Sequence, residues 1–119
     1  IGSASGMAAA AICSVRGGSK EQMGYACAMA LKNLMGLVCD PVAGLVEVPC
    51  VKRNVGGAVN ALAAADMALA GIASHIPVDQ VIDAMGEVGM KMDVSLRETS
   101  MGGVATSPKG LEIAERLGM

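Results

Sequence analysis

The sequence predicts an all-α protein of about five helices, packed in one compact domain over residues 1–119 with an irregular cysteine-bearing loop. Three observations predict it. Apolar residues recur at spacings of three and four through most of the 119 residues. Capping signals, Ser19-x-x-Gln22 and Ser107-Pro108, stand where two of these runs begin. No alternating apolar pattern supports a strand pair, since the one between Val42 and Val48 is too short.

In chain order, the first helix covers about residues 3–16. Ala8-Ala9-Ala10-Ala11 is strongly helix-forming, and Gly17-Gly18 ends it. The second runs from about Lys20 to Met35 and closes at Gly36. Met23, Ala26, Cys27, Ala30, Leu31 and Leu34 form its inward face. The third is expected from an Asn54 N-cap to about Ala73, with Val59, Leu62, Ala63, Met67 and Ala70 inward. Gly56-Gly57 would open its first turn and expose backbone N–H groups. Ile76-Pro77 breaks the chain. The fourth runs from Val78 to about Met92, turning Val81, Ile82, Met85, Val88 and Gly89 inward, with Asp79 and Asp83 near its start. Residues 93–106 read as irregular, and a last helix follows Ser107 to about Leu117.

Composition narrows the class. Apolar residues make up 53% and charged residues 17%, which suits a globular chain rather than a disordered one. Tyr25 is the single aromatic residue, so the core falls to Ala, Val, Leu, Ile and ten Met. Small residues let helices approach closely, and Met fills the gaps. Residues 1–60 carry five basic and three acidic side chains and residues 61–119 four and eight, netting +2 and −4. Neither half makes a nucleic-acid footprint, and stacking aromatics are missing. The mean hydropathy is +0.52. Even so, Arg16, Lys32, Asn60, Asp66 and His75 interrupt every stretch near the roughly 20 apolar residues a span needs. No signal-peptide pattern is present, which points to the cytoplasm. The start at Ile1-Gly2-Ser3 reads as a piece of a longer polypeptide.

Gly36 to Asn54 is the least helical stretch. Pro41 and Pro49 block regular helix, and Gly36 and Gly44 permit unusual backbone angles. Cys39 and Cys50 stand beside those prolines, on a loop that leaves a point and returns to it. Two thiols so held can bind a metal, form a disulfide or fill space. Their spacing is not Cys-x-x-Cys, so neither a zinc knuckle nor a thioredoxin-type pair fits. An iron–sulfur cluster takes about three or four thiolates, often from separated segments. Cys13 and Cys27 lie on apolar helix faces and read as packing residues.

Other chemistry is sparse. His75 has no partner at ligand spacing, and no nucleophilic triad can be built. Gly56-Gly57 and Gly102-Gly103 lack a phosphate-loop context and read first as close packing. Among the polar residues of the non-helical segments, Arg53-Asn54 and Arg97-Glu98 stand out, because a Gly-Gly pair follows each. A guanidinium beside bare backbone suits a substrate carboxylate.

The run Cys39-Asp40-Pro41-Val42-Ala43-Gly44-Leu45-Val46-Glu47-Val48-Pro49-Cys50-Val51-Lys52-Arg53-Asn54 closely resembles the cluster loop of bacterial iron–sulfur L-serine dehydratases, in the α chain or α domain. Ile1-Gly2-Ser3-Ala4-Ser5-Gly6-Met7-Ala8-Ala9-Ala10 resembles the family segment that follows a Gly-Cys-Gln-Gly-Glu stretch. Arg97-Glu98-Thr99-Ser100-Met101-Gly102-Gly103-Val104-Ala105 resembles its late motif. The match covers essentially the whole chain. It implies deamination of L-serine to pyruvate and ammonia, through an enamine that tautomerises and hydrolyses unaided. It also implies a [4Fe–4S] cluster held by three cysteines. The open iron would act as a Lewis acid on the substrate's carboxylate and β-hydroxyl. Cys39 and Cys50 map onto two of the ligands, and Arg53, Asn54 and Arg97 are the candidates for substrate binding.

The family's third cysteine lies in the Gly-Cys-Gln stretch, expected just upstream of Ile1. The β domain or β subunit, with a Ser-His-Thr substrate motif, is not in this sequence, and neither is the C-terminal cysteine of some single-chain members. The resemblance therefore implies a C-terminal piece of an α chain, inactive alone, with an incomplete or absent cluster and an oligomeric parent. Two other classes stay open: a helical assembly module, and a small zinc or disulfide structural domain.

Overall fold

Five α-helices form close to where the sequence places them. In this computed structural model, which describes all of residues 1–119, they are α1 (Gly2–Val15), α2 (Lys20–Asn33), α3 (Cys50–Leu69), α4 (Val78–Lys91) and α5 (Pro108–Arg116). Short 3₁₀ turns cover Val42–Gly44, Val94–Leu96 and Gly103–Thr106. The fold is all-α, and its one β-type contact is an isolated parallel bridge between Cys39 and Arg97. No helix is long and apolar enough to cross a membrane.

The predicted caps are made. Ser19 Oγ accepts from Gln22 N at 3.1 Å, and Gln22 Oε1 accepts from Ser19 N at 2.9 Å, which closes a capping box on α2. Ser107 Oγ accepts from Gly110 N at 3.2 Å, with Pro108 at the first position of α5. Gly17 and Gly36 follow α1 and α2 at φ +85° and +83°, the left-handed angles that end helices.

The chain divides into two compact units. The first comprises residues 1–36 and 55–90, the second residues 37–54 and 91–119. The first unit is an alanine core. Ala9 and Cys13 of α1, Ala26, Met29 and Ala30 of α2, and Ala61, Ala64, Ala65 and Ala68 of α3 are buried together. Polar ties hold the close approach. Ser5 Oγ donates to Gly57 O at 2.7 Å, and Asn60 Nδ2 donates to both Ser5 Oγ and Ala30 O. A Cβ on Gly57 would come within 3.0 Å of Ile1 Cγ2, so this glycine is where α1 meets α3. A smaller cluster joins Ala28 and Leu31 of α2 to Val81 of α4.

The third helix corrects three expectations. It begins at Cys50, not after Asn54. Arg53 N donates to Pro49 O at 3.1 Å, so the helix starts as soon as the chain clears Pro49, where the missing proline N–H costs nothing. Asn54 lies inside the helix and donates Nδ2 to Cys50 O at 2.9 Å. Gly56 and Gly57 then fall beyond the first turn, so their N–H groups enter the helical ladder and do not form an open anion cradle. The buried stripe is Gly57, Ala61, Ala64, Ala65 and Ala68. The expected inward residues Val59, Leu62, Ala63 and Ala70 are exposed, Val59 at 60%, and Met67 is half-buried. Backbones this close admit alanine and turn the larger side chains out. In α4, likewise, Val81 is buried, while Ile82 and Gly89 are exposed.

Candidate functional site

The second unit is organised around one carboxylate. Asp40 is 1% exposed. Its Oδ1 accepts from Arg53 Nη1 at 2.5 Å, and its Oδ2 accepts from Val104 N at 2.6 Å. Arg53 Nη1 also donates to Val38 O at 3.1 Å. A buried carboxylate without partners would cost several kcal/mol, roughly 3–5 when a partner is removed, but here both oxygens are satisfied. Burial pushes the Asp40 carboxyl up; the Val104 N–H and the Arg53 guanidinium outweigh it and hold the group below its ordinary value.

The Gly102-Gly103 pair is the cradle for that carboxylate. Gly103 has φ +61°, and a Cβ there would run into Asp40. A Cβ on Gly102 would sit 3.0 Å from Ser95 O. The one backbone donor these glycines deliver nearby, Val104 N–H, is already given to Asp40.

Backbone bonds fix Cys39. Its N–H donates to Leu96 O at 2.9 Å, and its carbonyl accepts from Glu98 N at 2.7 Å. This brackets Arg97 and makes the parallel bridge. Ser100 Oγ donates to Pro41 O at 2.6 Å. Val42 N donates to Val48 O at 2.9 Å, closing the loop that brings the chain back to Cys50. Ala43, Glu98 and Ser100 hold left-handed φ of 54°, 65° and 57°, which in non-glycine residues costs about 1–2 kcal/mol each. Such angles persist where surrounding bonds over-determine them.

Cys39 and Cys50 are both free thiols and half-buried. Burial pushes the Cys39 thiol up, and the negative charges of Glu98, Cys50 and Asp40 add to it. A bound cation reverses that balance, since a metal holds its thiols deprotonated. Free thiols are the donor type that soft metals and iron–sulfur clusters take. No third His, Cys, Asp or Glu joins them in a metal-binding group.

The candidate residues Cys39, Cys50, Arg53, Asn54 and Arg97 all lie in the second unit. Arg97 Nε donates to Met92 O at 2.7 Å beside the Cys39 bridge. Arg53 uses Nη1 on Val38 and Asp40, and a guanidinium carries three further N–H donors. Cys13 is fully buried in the alanine core of the first unit, and burial pushes the half-buried Cys27 thiol up. Asp40 is the residue whose role the sequence did not reveal. The available signal was an acid adjoining a cysteine in an apolar loop, with one arginine thirteen residues on.

The family model described as serine dehydratase alpha chain matches residues 1–105. A probable L-serine dehydratase, alpha chain, of Bacillus subtilis (strain 168) is 62% identical over 117 residues, covering 98% of this chain and 39% of the relative. The L-serine dehydratase, alpha chain, of Peptoniphilus asaccharolyticus is 53% identical over 94% of this chain and 38% of its own length. L-serine dehydratase 1 of Escherichia coli (strain K12) is 45% identical over 88% of this chain and 23% of its own length. The chain therefore spans well under half the length of these three relatives. With a family model that takes in all but the last fourteen residues, and with the paired cysteines inside the match, the chain belongs to the serine dehydratase alpha chain family.

Proposed function

We propose that this chain is the thiolate-presenting part of an iron–sulfur L-serine dehydratase, a lyase that converts L-serine to pyruvate and ammonia. The observation that carries the reading is a pair of free, half-buried thiols, Cys39 and Cys50, on a loop pinned through Asp40, in a chain of this family. Cys39 and Cys50 would supply two of the thiolates that hold a [4Fe–4S] cluster, with a third from outside these 119 residues. When bound, such a cluster supplies an open iron as a Lewis acid toward the substrate's carboxylate and hydroxyl.

The chain's own residues do the rest of the work assigned here. The backbone bonds of Cys39 to Leu96 and Glu98 fix where its thiol emerges. Arg53 and Arg97 offer guanidinium donors to the serine carboxylate, since charge-assisted bonds are the strong ones. Asn54, one turn into α3, holds the Cys50 carbonyl and stands on the same helical turn as Arg53. A β domain or β subunit completes the substrate site. The parent is an oligomer of the cytoplasm.

The test is iron and sulfide per chain in the complete, anaerobically purified enzyme, together with pyruvate formation. Cys39→Ser and Cys50→Ser should each abolish cluster absorbance and activity. A four-iron cluster that survives both changes refutes the assignment, and zinc in place of iron would make the loop a structural site.

A further inference from the structure

We propose that Asp40 and Arg53 are positioning residues that set the separation of the two cluster thiolates. This rests on the cluster reading above. A cubane offers its irons at fixed spacing, so two thiolates that serve it need fixed spacing too. The intervening loop is held at buried Pro41 and Val42 and by the Val42–Val48 backbone bond, but Leu45, Val46 and Val48 are exposed, and none of these contacts ties Cys39 to the helix that carries Cys50.

One nitrogen supplies the missing brace. Arg53 Nη1 donates to Val38 O and to Asp40 Oδ1, the residues immediately before and after Cys39. Arg53 itself sits three residues after Cys50 on α3, which puts it on the same face one turn along. The guanidinium therefore grips both flanks of one cysteine from the helix that begins with the other. The second Asp40 oxygen takes the Val104 N–H and anchors the brace to the Gly102-Gly103 turn. A change in the separation of Cys39 and Cys50 therefore strains the Arg53–Asp40 ion pair, a single Nη1–Oδ1 bond to a buried carboxylate. Groups that orient metal ligands in this way commonly cost about 10–100-fold in metal affinity when removed.

The experiment uses the complete enzyme, reconstituted anaerobically, as wild type, Arg53→Lys, Arg53→Met and Asp40→Asn. Three quantities are read: the thermal midpoint of the helical circular dichroism, iron and sulfide per chain, and the rate at which a ferrous chelator bleaches the cluster. The expected result is a roughly 10–100-fold faster loss of cluster in Arg53→Met and Asp40→Asn. Arg53→Lys keeps the charge and should recover the midpoint. The lysine ammonium ends one bond short of the Nη1 position and does not reach Val38 O and Asp40 Oδ1 together, so its cluster should still bleach early. A lysine variant that recovers both midpoint and cluster lifetime would mean the pair is only structural, and the proposal falls. Should Arg53→Met fail to fold, Arg53→Lys and the near-isosteric Asp40→Asn decide the matter by the same readings. Cys39→Ser, run alongside, separates the two claims. Cluster loss there with wild-type lifetimes in all three brace variants overturns the positioning role alone. A full cluster in Cys39→Ser overturns the cluster reading itself.

Discussion

Asp40 and Cys13 are both buried, and the difference between them separates two kinds of residue in this chain. Cys13 touches alanines, and its sulfur fills space. Cys13→Ser in the complete enzyme should keep the cluster while lowering stability by about 1–3 kcal/mol, because a hydroxyl takes the place of an apolar sulfur. Iron content and a thermal melt check both halves of that outcome. Asp40 instead gathers three segments, and Gly103 exists to admit it. Gly103→Ala should destabilise the second unit by about 1–3 kcal/mol, from a left-handed φ and a clash with a carboxylate that cannot retreat. Gly44→Ala, also at positive φ but with open space around it, serves as the control and should cost less than Gly103→Ala in the same melt. The cysteine loop stood out in the sequence because its proline and glycine neighbours are local facts, while the ligand role of Cys39 and Cys50 rests on the family resemblance alone. The purpose of Gly102-Gly103 was not legible there, because it depends on an acid more than sixty residues away.

At the scale of the element, periodicity located every helix and misjudged which face of the third turns inward. The apolar count favoured Val59 and Leu62, yet the helix buries Ala61, Ala64, Ala65 and Ala68. Hydrophobicity scales rank valine above alanine, whereas close-packed helices rank by size. The error at its start has the same root. Asn54 looks like a cap, but Pro49, five residues earlier, offers its carbonyl to Arg53 N, and the helix takes the first acceptor it meets. That places Cys50, Arg53 and Asn54 on one helical turn, a proximity that an Asn54 start would have dissolved. Two substitutions test the register. Ala64→Leu should cost about 1–3 kcal/mol through overpacking. Val59→Ala should stay within about 0.5 kcal/mol of wild type, as exposed sites do. The reverse order in a chemical-denaturation series would mean that the alanine stripe does not face the core.

At the scale of the whole molecule, the alanine core and the cysteine loop make separable demands. The core of the first unit is complete within these residues: α1, α2 and α3 bury nine side chains together and satisfy their polar atoms among themselves. The 119-residue chain should therefore show a helical circular dichroism spectrum and a cooperative melt. The cysteine loop is complete as backbone, since Asp40 has both partners, but it offers two thiolates where a cubane asks for about three or four. A cluster held at two corners leaves two irons open to solvent and chelators. The same chain, reconstituted anaerobically with iron and sulfide, should retain no stable [4Fe–4S] cluster, with Cys39 and Cys50 recoverable as thiols. Extending it upstream to include the family's Gly-Cys-Gln segment should bring retention to four irons and four sulfides per chain. Pyruvate should form from L-serine only after the β part is added as well. Iron and sulfide analysis of the short and extended chains, with and without that part, distinguishes the steps. A stoichiometric cluster in the short chain would make Cys13 or Cys27 the third ligand. It would require the alanine core around Cys13, or the packing around Cys27, to open, and a fall in helical signal on reconstitution would record that opening.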